Sequence, residues 1–153
     1  MIFAGIGSRE TPPDILELMK KISAQMYQKG HILRSGHAEG ADLAFESQYP
    51  DNKEIFVARD ATAEGIELAS QFHPAWNRCN EYARKLHGRN SMIILGKNLD
   101  TPVDFVVAWT KKGQFVGGTG LGLRMAYKRE IPIYNLFFEN DYTRLMEMIN
   151  EYE

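Results

Sequence analysis

The chain has 153 residues, 44% of them hydrophobic and 25% charged, with a formal net charge of −2 from 18 basic and 20 acidic side chains. That length predicts one domain over residues 1–153, with a core that buries roughly 68–70% of the unfolded surface. The composition excludes an intrinsically disordered chain, and the slight acidic excess argues against a duplex-DNA binder, which usually carries a clear basic excess.

The elements follow in chain order. MIFAGIG predicts a buried strand closed by a glycine turn. It has no basic leader, so no signal peptide is read and the fold is expected to start at Met1. TPPDILELMKKISAQMYQKG carries Ile15, Leu18, Met19, Ile22 and Met26 at helical spacing, with Thr11 as cap, Pro12 and Pro13 in the first turn and Gly30 as stop. HILRSG predicts a second strand, ADLAFESQY a helix and EIFVA a third strand. Residues 74–86 pattern as a helix, and SMIILG and DFVVAWT as the fourth and fifth strands. GLGLRMAYKRE predicts a helix, IPIYNLF a sixth strand and DYTRLMEMINEYE a closing amphipathic helix. No stretch approaches the roughly 18 apolar residues that span a bilayer, so no membrane partner is expected.

The strands are continuous apolar runs rather than in–out alternations, so helices cover both sheet faces. The fold class is therefore α/β, a three-layer sandwich around a mainly parallel sheet. Right-handed crossovers bring the strand-to-helix loops to one edge, where ligands bind in open α/β sheets.

Three glycine-rich loops fall on that edge. In GIGSRETP, residues 5–12, Gly5 and Gly7 allow a sharp turn, and Ser8 and Arg9 precede a helix whose N-terminus suits a phosphate. In RSGHAEGAD, residues 34–42, Gly36 and Gly40 allow close backbone approach. Arg34 there offers a cation, Ser35 a hydroxyl and Asp42 a ribose acceptor, although Asp42 also reads as a plain first-turn acid. VGGTGLGLR, residues 116–124, holds Gly117, Gly118, Thr119 and Gly120, a glycine density that suits backbone amides touching a ligand. It lacks the lysine of a triphosphate-binding loop, and no nicotinamide fingerprint follows the first strand. Each loop alone also reads as a tight turn; three on one edge point to a phosphate-bearing ligand.

These segments, together with KLHGRNSMIILG and DFVVAWT, resemble the SLOG superfamily of Rossmann-like nucleotide-binding proteins over almost the whole chain. That superfamily includes the DNA-processing protein A core and the lonely-guy, or lysine decarboxylase-like, phosphoribohydrolases, and the look is nearest to its small single-domain members. The resemblance implies a Rossmann-like fold and a bound nucleotide. In the phosphoribohydrolases a histidine–glutamate–arginine–lysine segment is paired with a PGGxGTxxE loop. HGRN at 87–90 looks like the first, keeping Arg89 but placing Asn90 where lysine is expected. Gly117, Gly118 and Gly120 match the second, with Leu121 replacing its threonine and Arg124 its glutamate. The loss of that glutamate tells against the N-glycosidase reaction. A cation at 124 favours a second phosphate or a carboxylate instead.

Asp42 and Glu46 lie four apart on one helix and are the candidate catalytic acids. Trp109 and Thr110 end the fifth strand at the ligand edge, where Trp109 is expected to stack on a base or plug the core. Arg89 is expected to precede a strand and to grip a phosphate in bidentate fashion. The histidines, 31, 37, 73 and 87, show no metal-ligand spacing, and the single Cys79 allows neither a disulfide nor a cysteine-based zinc site, so no metal and no required cofactor are expected. One cysteine also fits a reducing cytoplasm.

The primary expectation is thus a cytoplasmic module binding a small-molecule nucleotide. A phosphoribohydrolase and a single-stranded-DNA-associated protein are the alternatives. The apolar faces of the last two helices suggest a homodimer or higher oligomer.

Overall fold

The first strand, β1 (Ile2–Gly5), is buried because Phe3 points to one side of the sheet and Ala4 to the other, each with no exposed surface. β2 (Ile32–Ser35), β4 (Phe105–Ala108) and β5 (Ile133–Asn135) are likewise buried, while β3 (Lys53–Ile55) is a half-exposed edge strand. All four pairings are parallel, in the order β3-β2-β1-β4-β5. The structure, a computed structural model, describes residues 1–151.

Phe3, Leu33, Phe105, Val107 and Tyr134 form one core with α1 (Pro13–Gln28), α2 (Ala41–Glu46) and α6 (Glu139–Glu151). Ala4, Val106 and Ala108 form the other with α3 (Ala63–Ser70), α4 (Glu81–Leu95) and α5 (Gly117–Lys128). The result is a Rossmann-like three-layer sandwich.

The sheet has five strands where the sequence suggests six. SMIILG is the last turn and a half of α4 and its C-cap. Ser91 to Leu95 are all buried, since α4 is wedged between α3, α5 and the sheet. A helix buried all round shows a continuous apolar run, which periodicity cannot tell from a buried strand. The Ser91 hydroxyl is satisfied by donating to the Gly65 carbonyl at 2.9 Å.

The start of α4 also differs from expectation. Residues 73–80 form a loop with a single turn at Trp76–Arg78, and Asn80 Oδ1 caps α4 by accepting from the Ala83 amide at 2.8 Å. The unexpected α3 is capped in the same way by Thr62 on Gly65, at 3.0 Å. Thr11 does not cap α1. Its hydroxyl donates to the Ser8 carbonyl at 2.5 Å, closing the first loop on itself.

The apolar faces of the last two helices are taken up internally. Leu145 and Ile149 of α6 are fully buried in the first core, and Leu121, Leu123 and Met125 of α5 in the second. The closing helix was read through residue 153; residues 152 and 153 lie outside the described residues. No helix among the described residues is long and apolar enough to cross a membrane.

Candidate functional site

The chain leaves β1 toward β2 on one side of the sheet and reaches β4 on the other, so the strand order reverses between β1 and β4. Loops diverge at such a point and leave a crevice at the carboxyl ends of the strands. A cleft of about 420 Å³ lies there. Its floor is Ile6 to Glu10 after β1 and Thr110 and Lys111 after β4. One wall is α4, through Leu86, His87, Arg89, Asn90, Ile93 and Ile94; the other is Val116 to Thr119 of α5. Ala38 and Asp42 close the end.

Of the residues expected at the ligand, the cleft gathers Gly7, Ser8, Arg9, Asp42, Arg89, Thr110, Gly117, Gly118 and Thr119. The others do not line it. Arg34 turns back into the sheet, where its Nε donates to Glu54 at 2.7 Å and its Nη1 and Nη2 donate to the carbonyl and hydroxyl of Thr101. Ser35 donates to the Gly5 carbonyl at 2.6 Å and is fully buried. Trp109 packs into the core beside α1, so the plug and not the stacking platform is what forms. Gly40, at φ +91°, is the turn into α2. Gly36 makes room for a neighbour: a Cβ there would sit 2.5 Å from Arg89 Nη1 and 2.8 Å from Asp42 Oδ2. Gly120 likewise lies under the Phe115 carbonyl carbon, 2.4 Å from where its Cβ would be. Part of the glycine density of the third loop is therefore packing.

The best anion donor is the N-terminus of α5. Its first helical bond runs from the Gly120 amide to the Val116 carbonyl at 2.9 Å. The amides of Gly117, Gly118 and Thr119 precede it, so the helix supplies them no carbonyl. All three residues line the cleft, at the positive end of a twelve-residue helix. The N-terminus of α1 is poorer in donors, because Pro12 and Pro13 carry no N–H.

Arg89 lies inside α4, not ahead of a strand, and is 9% exposed. Its Nη1 donates to the carbonyls of Gly36, at 2.7 Å, and Phe56, at 3.1 Å. Its Nε donates to Asn90 Oδ1 at 2.7 Å, and Asn90 Nδ2 reaches the Gly118 carbonyl at 3.3 Å. These bonds take Nε and Nη1 and none takes Nη2, so the expected bidentate grip is replaced by a bracing role with a single N–H₂ left over. Arg124 braces as well. It donates to the carbonyls of Phe72 and Phe115 and does not line the cleft.

Asp42 and Glu46 do not converge. Glu46 bonds His37 at 2.7 Å and Lys53 at 3.2 Å on the outer side of α2. A two-carboxylate arrangement for glycosidic cleavage is therefore not assembled by this pair. Asp42 is 5% exposed, and burial pushes its carboxyl up to about 6, against the pull of Arg89 and of the Ala38 and Gly36 amides. Burial, with His73, Arg89 and Arg124 nearby, drives His87 down to about 4, so its ring is neutral at pH 7.

The raised Asp42 carboxyl has a stability consequence. A carboxyl titrating at about 6 when folded, against an ordinary 3.8, favours folding fully below pH 4 and loses that contribution as pH rises through 6. The penalty at pH 7.5 is at most about 3 kcal/mol. Asp42→Asn is therefore expected to raise the unfolding temperature at pH 7.5 and to leave it unchanged at pH 4. A melting series across pH checks this; a pH-independent difference would contradict it.

The expected scatter of the histidines does not survive folding. The loop at 73–79 turns back over α4, and His73, Cys79 and His87 bring one ligand atom each to within 4.8 Å of the others. His87, Asn90, Lys111 and the aliphatic wall of α4 were not singled out as ligand-facing in the sequence. For the α4 residues the signal was their place in KLHGRNSMIILG, which requires that segment to be one helix; Lys111 had only its position after DFVVAWT.

The structure is a Rossmann-like α/β protein with a cleft at its topological switch point, walled on one side by the glycine-rich start of α5. No family model and no curated protein sequence matches the chain. Among solved structures it is similar to DNA processing protein A from Helicobacter pylori, with a TM-score of 0.66 and 13% identity over 100% of this chain and 82% of that one. The likeness establishes a fold of the DNA processing protein A kind. That protein is described with a single-stranded DNA binding mode, which overturns the expectation that the partner of this architecture is a small-molecule nucleotide alone.

Proposed function

We propose that the cleft seats one nucleotide unit of single-stranded DNA. The observation that carries this reading is that Gly117, Gly118 and Thr119, the first turn of α5, line the same 420 Å³ space as Arg9, Lys111 and the aliphatic wall of α4. The amides and the two exposed cations offer a site for phosphate, and Leu86 and the exposed Val116 an apolar surface for a base. The volume falls in the roughly 300–1,000 Å³ range of ligand clefts. The glycine loops' resemblance to the SLOG superfamily supports the reading, as does the likeness in fold to a protein that binds single-stranded DNA. The net charge of −2 fits contact with few phosphates, and the exposed Arg9, Lys111 and Lys112 are the cations at or beside the cleft.

Salt dependence tests it. Each phosphate neutralised on a single strand contributes a slope of about −0.7 in log affinity against log salt. Lys111→Ala is expected to make the slope shallower by about that amount, with an unchanged melting temperature. An unaltered slope would remove Lys111 from the interface.

A further inference from the structure

We propose that His73, Cys79 and His87 bind one divalent cation of the zinc class at the wall of the cleft. Two donors come from the loop between α3 and α4, His73 near its start and Cys79 just after the turn at Trp76–Arg78, and the third from the middle of α4. Their ligand atoms all lie within 4.8 Å of one another. Cys79 Sγ and His73 Nε2 are 3.6 Å apart. Zinc bonds of about 2.3 Å to sulfur and 2.0–2.1 Å to nitrogen, at a tetrahedral angle, put those two atoms about 3.6 Å apart. The distance is thus that of one edge of a zinc tetrahedron.

A second observation is independent of that spacing. His87 Nδ1 is buried and has no hydrogen-bond partner. Buried polar atoms are nearly always satisfied, and an orphan of this kind marks a place for an ion or a water. The rings of His73 and His87 stand 4.6 Å apart at 62°, with Trp76 about 6 Å from both. Arg84 lies over Trp76 at 5.2 Å and donates to its carbonyl at 3.2 Å, so the turn carrying Cys79 is tied to α4.

Two imidazoles and a thiolate suit zinc and tell against magnesium or calcium, which take oxygen. Three protein ligands leave a fourth position for water or for an oxygen of whatever occupies the cleft, since His87 lines both. The proton balance is explicit. In the metal-free arrangement His73 Nδ1 accepts from the Ala75 amide at 2.9 Å, so Nε2 carries the ring proton. Cation binding moves that proton to Nδ1, opens the Ala75 contact and sends the thiol proton to solvent. One proton leaves per cation.

The test is a zinc titration of the metal-stripped chain against a chromophoric chelator, repeated with Cys79→Ser and His87→Gln, and a cobalt(II) absorption spectrum of the wild type. The expected result is one equivalent bound, a loss of at least about tenfold in affinity in each variant, and a thiolate-to-cobalt charge-transfer band that Cys79→Ser removes. Absence of saturable one-to-one binding overturns the proposal. So does unchanged affinity in both variants with intact melting curves. Should either variant fail to fold, the wild-type spectrum decides: bound cobalt without a thiolate band contradicts the site.

Discussion

Arg89→Ala is expected to lower the unfolding free energy by about 2–5 kcal/mol, since each buried polar group left without its partner costs about 1–3 kcal/mol. Three losses combine. The carbonyls of Gly36 and Phe56 lose the guanidinium that they share, Asn90 loses the bond that aims it at Gly118, and Asp42 loses the nearby cation. Arg89→Lys keeps the charge but not the planar fork, so it is expected to recover only part of the loss. Urea unfolding at pH 7.5 reads the effect as a lower midpoint at constant slope. In an Asp42→Asn background the cost is expected to shrink, because the uncompensated charge is gone. A change below about 1 kcal/mol would contradict the bracing role, because the two carbonyls would then have lost nothing that water does not replace.

Gly118→Val is expected to cost more than about tenfold in oligonucleotide affinity, equivalent to at least about 1.4 kcal/mol, while the fold persists. The Cβ position at Gly118 is open: its nearest neighbours are Asn90 Nδ2 at 3.4 Å and His87 Cε1 at 4.0 Å. Valine is no worse than glycine within a helix. Its branches would occupy the space in front of the α5 amides. Gly120→Ala is the contrasting control, since its Cβ meets the Phe115 backbone at 2.4 Å and damages packing instead. Equal affinity in wild type and Gly118→Val would mean that no ligand atom approaches this turn.

The strand-to-helix alternation was legible because apolar runs and glycine stops recur along the chain, and it sufficed to put the three loops on one edge. What misled was burial on all sides. SMIILG reads as a strand because nothing polar faces solvent from that turn of α4. A strand there detaches HGRN from its helix and makes Arg89 look like a loop cation, whereas within α4 it is a brace. Arg34 misled for a related reason: a charge at a strand end suggests a ligand, but its partners, Glu54 and Thr101, are distant in sequence. The His73–Cys79–His87 cluster had no signature, since its spacing is set by how a loop folds over a helix. The α5 amides were foreseen from the glycines of the third loop. The reason at Gly120 was packing against Phe115, which only the tertiary structure shows.

Under the proposed function the cleft between β1 and β4 takes single-stranded DNA. Fluorescence anisotropy of a short labelled oligothymidylate, titrated at low salt beside a duplex of equal length, tests it most directly. Saturable binding of the single strand, weakened by salt and by Gly118→Val, with weaker binding of the duplex, is the predicted result. No binding of the single strand, or binding that Gly118→Val leaves untouched, would contradict it.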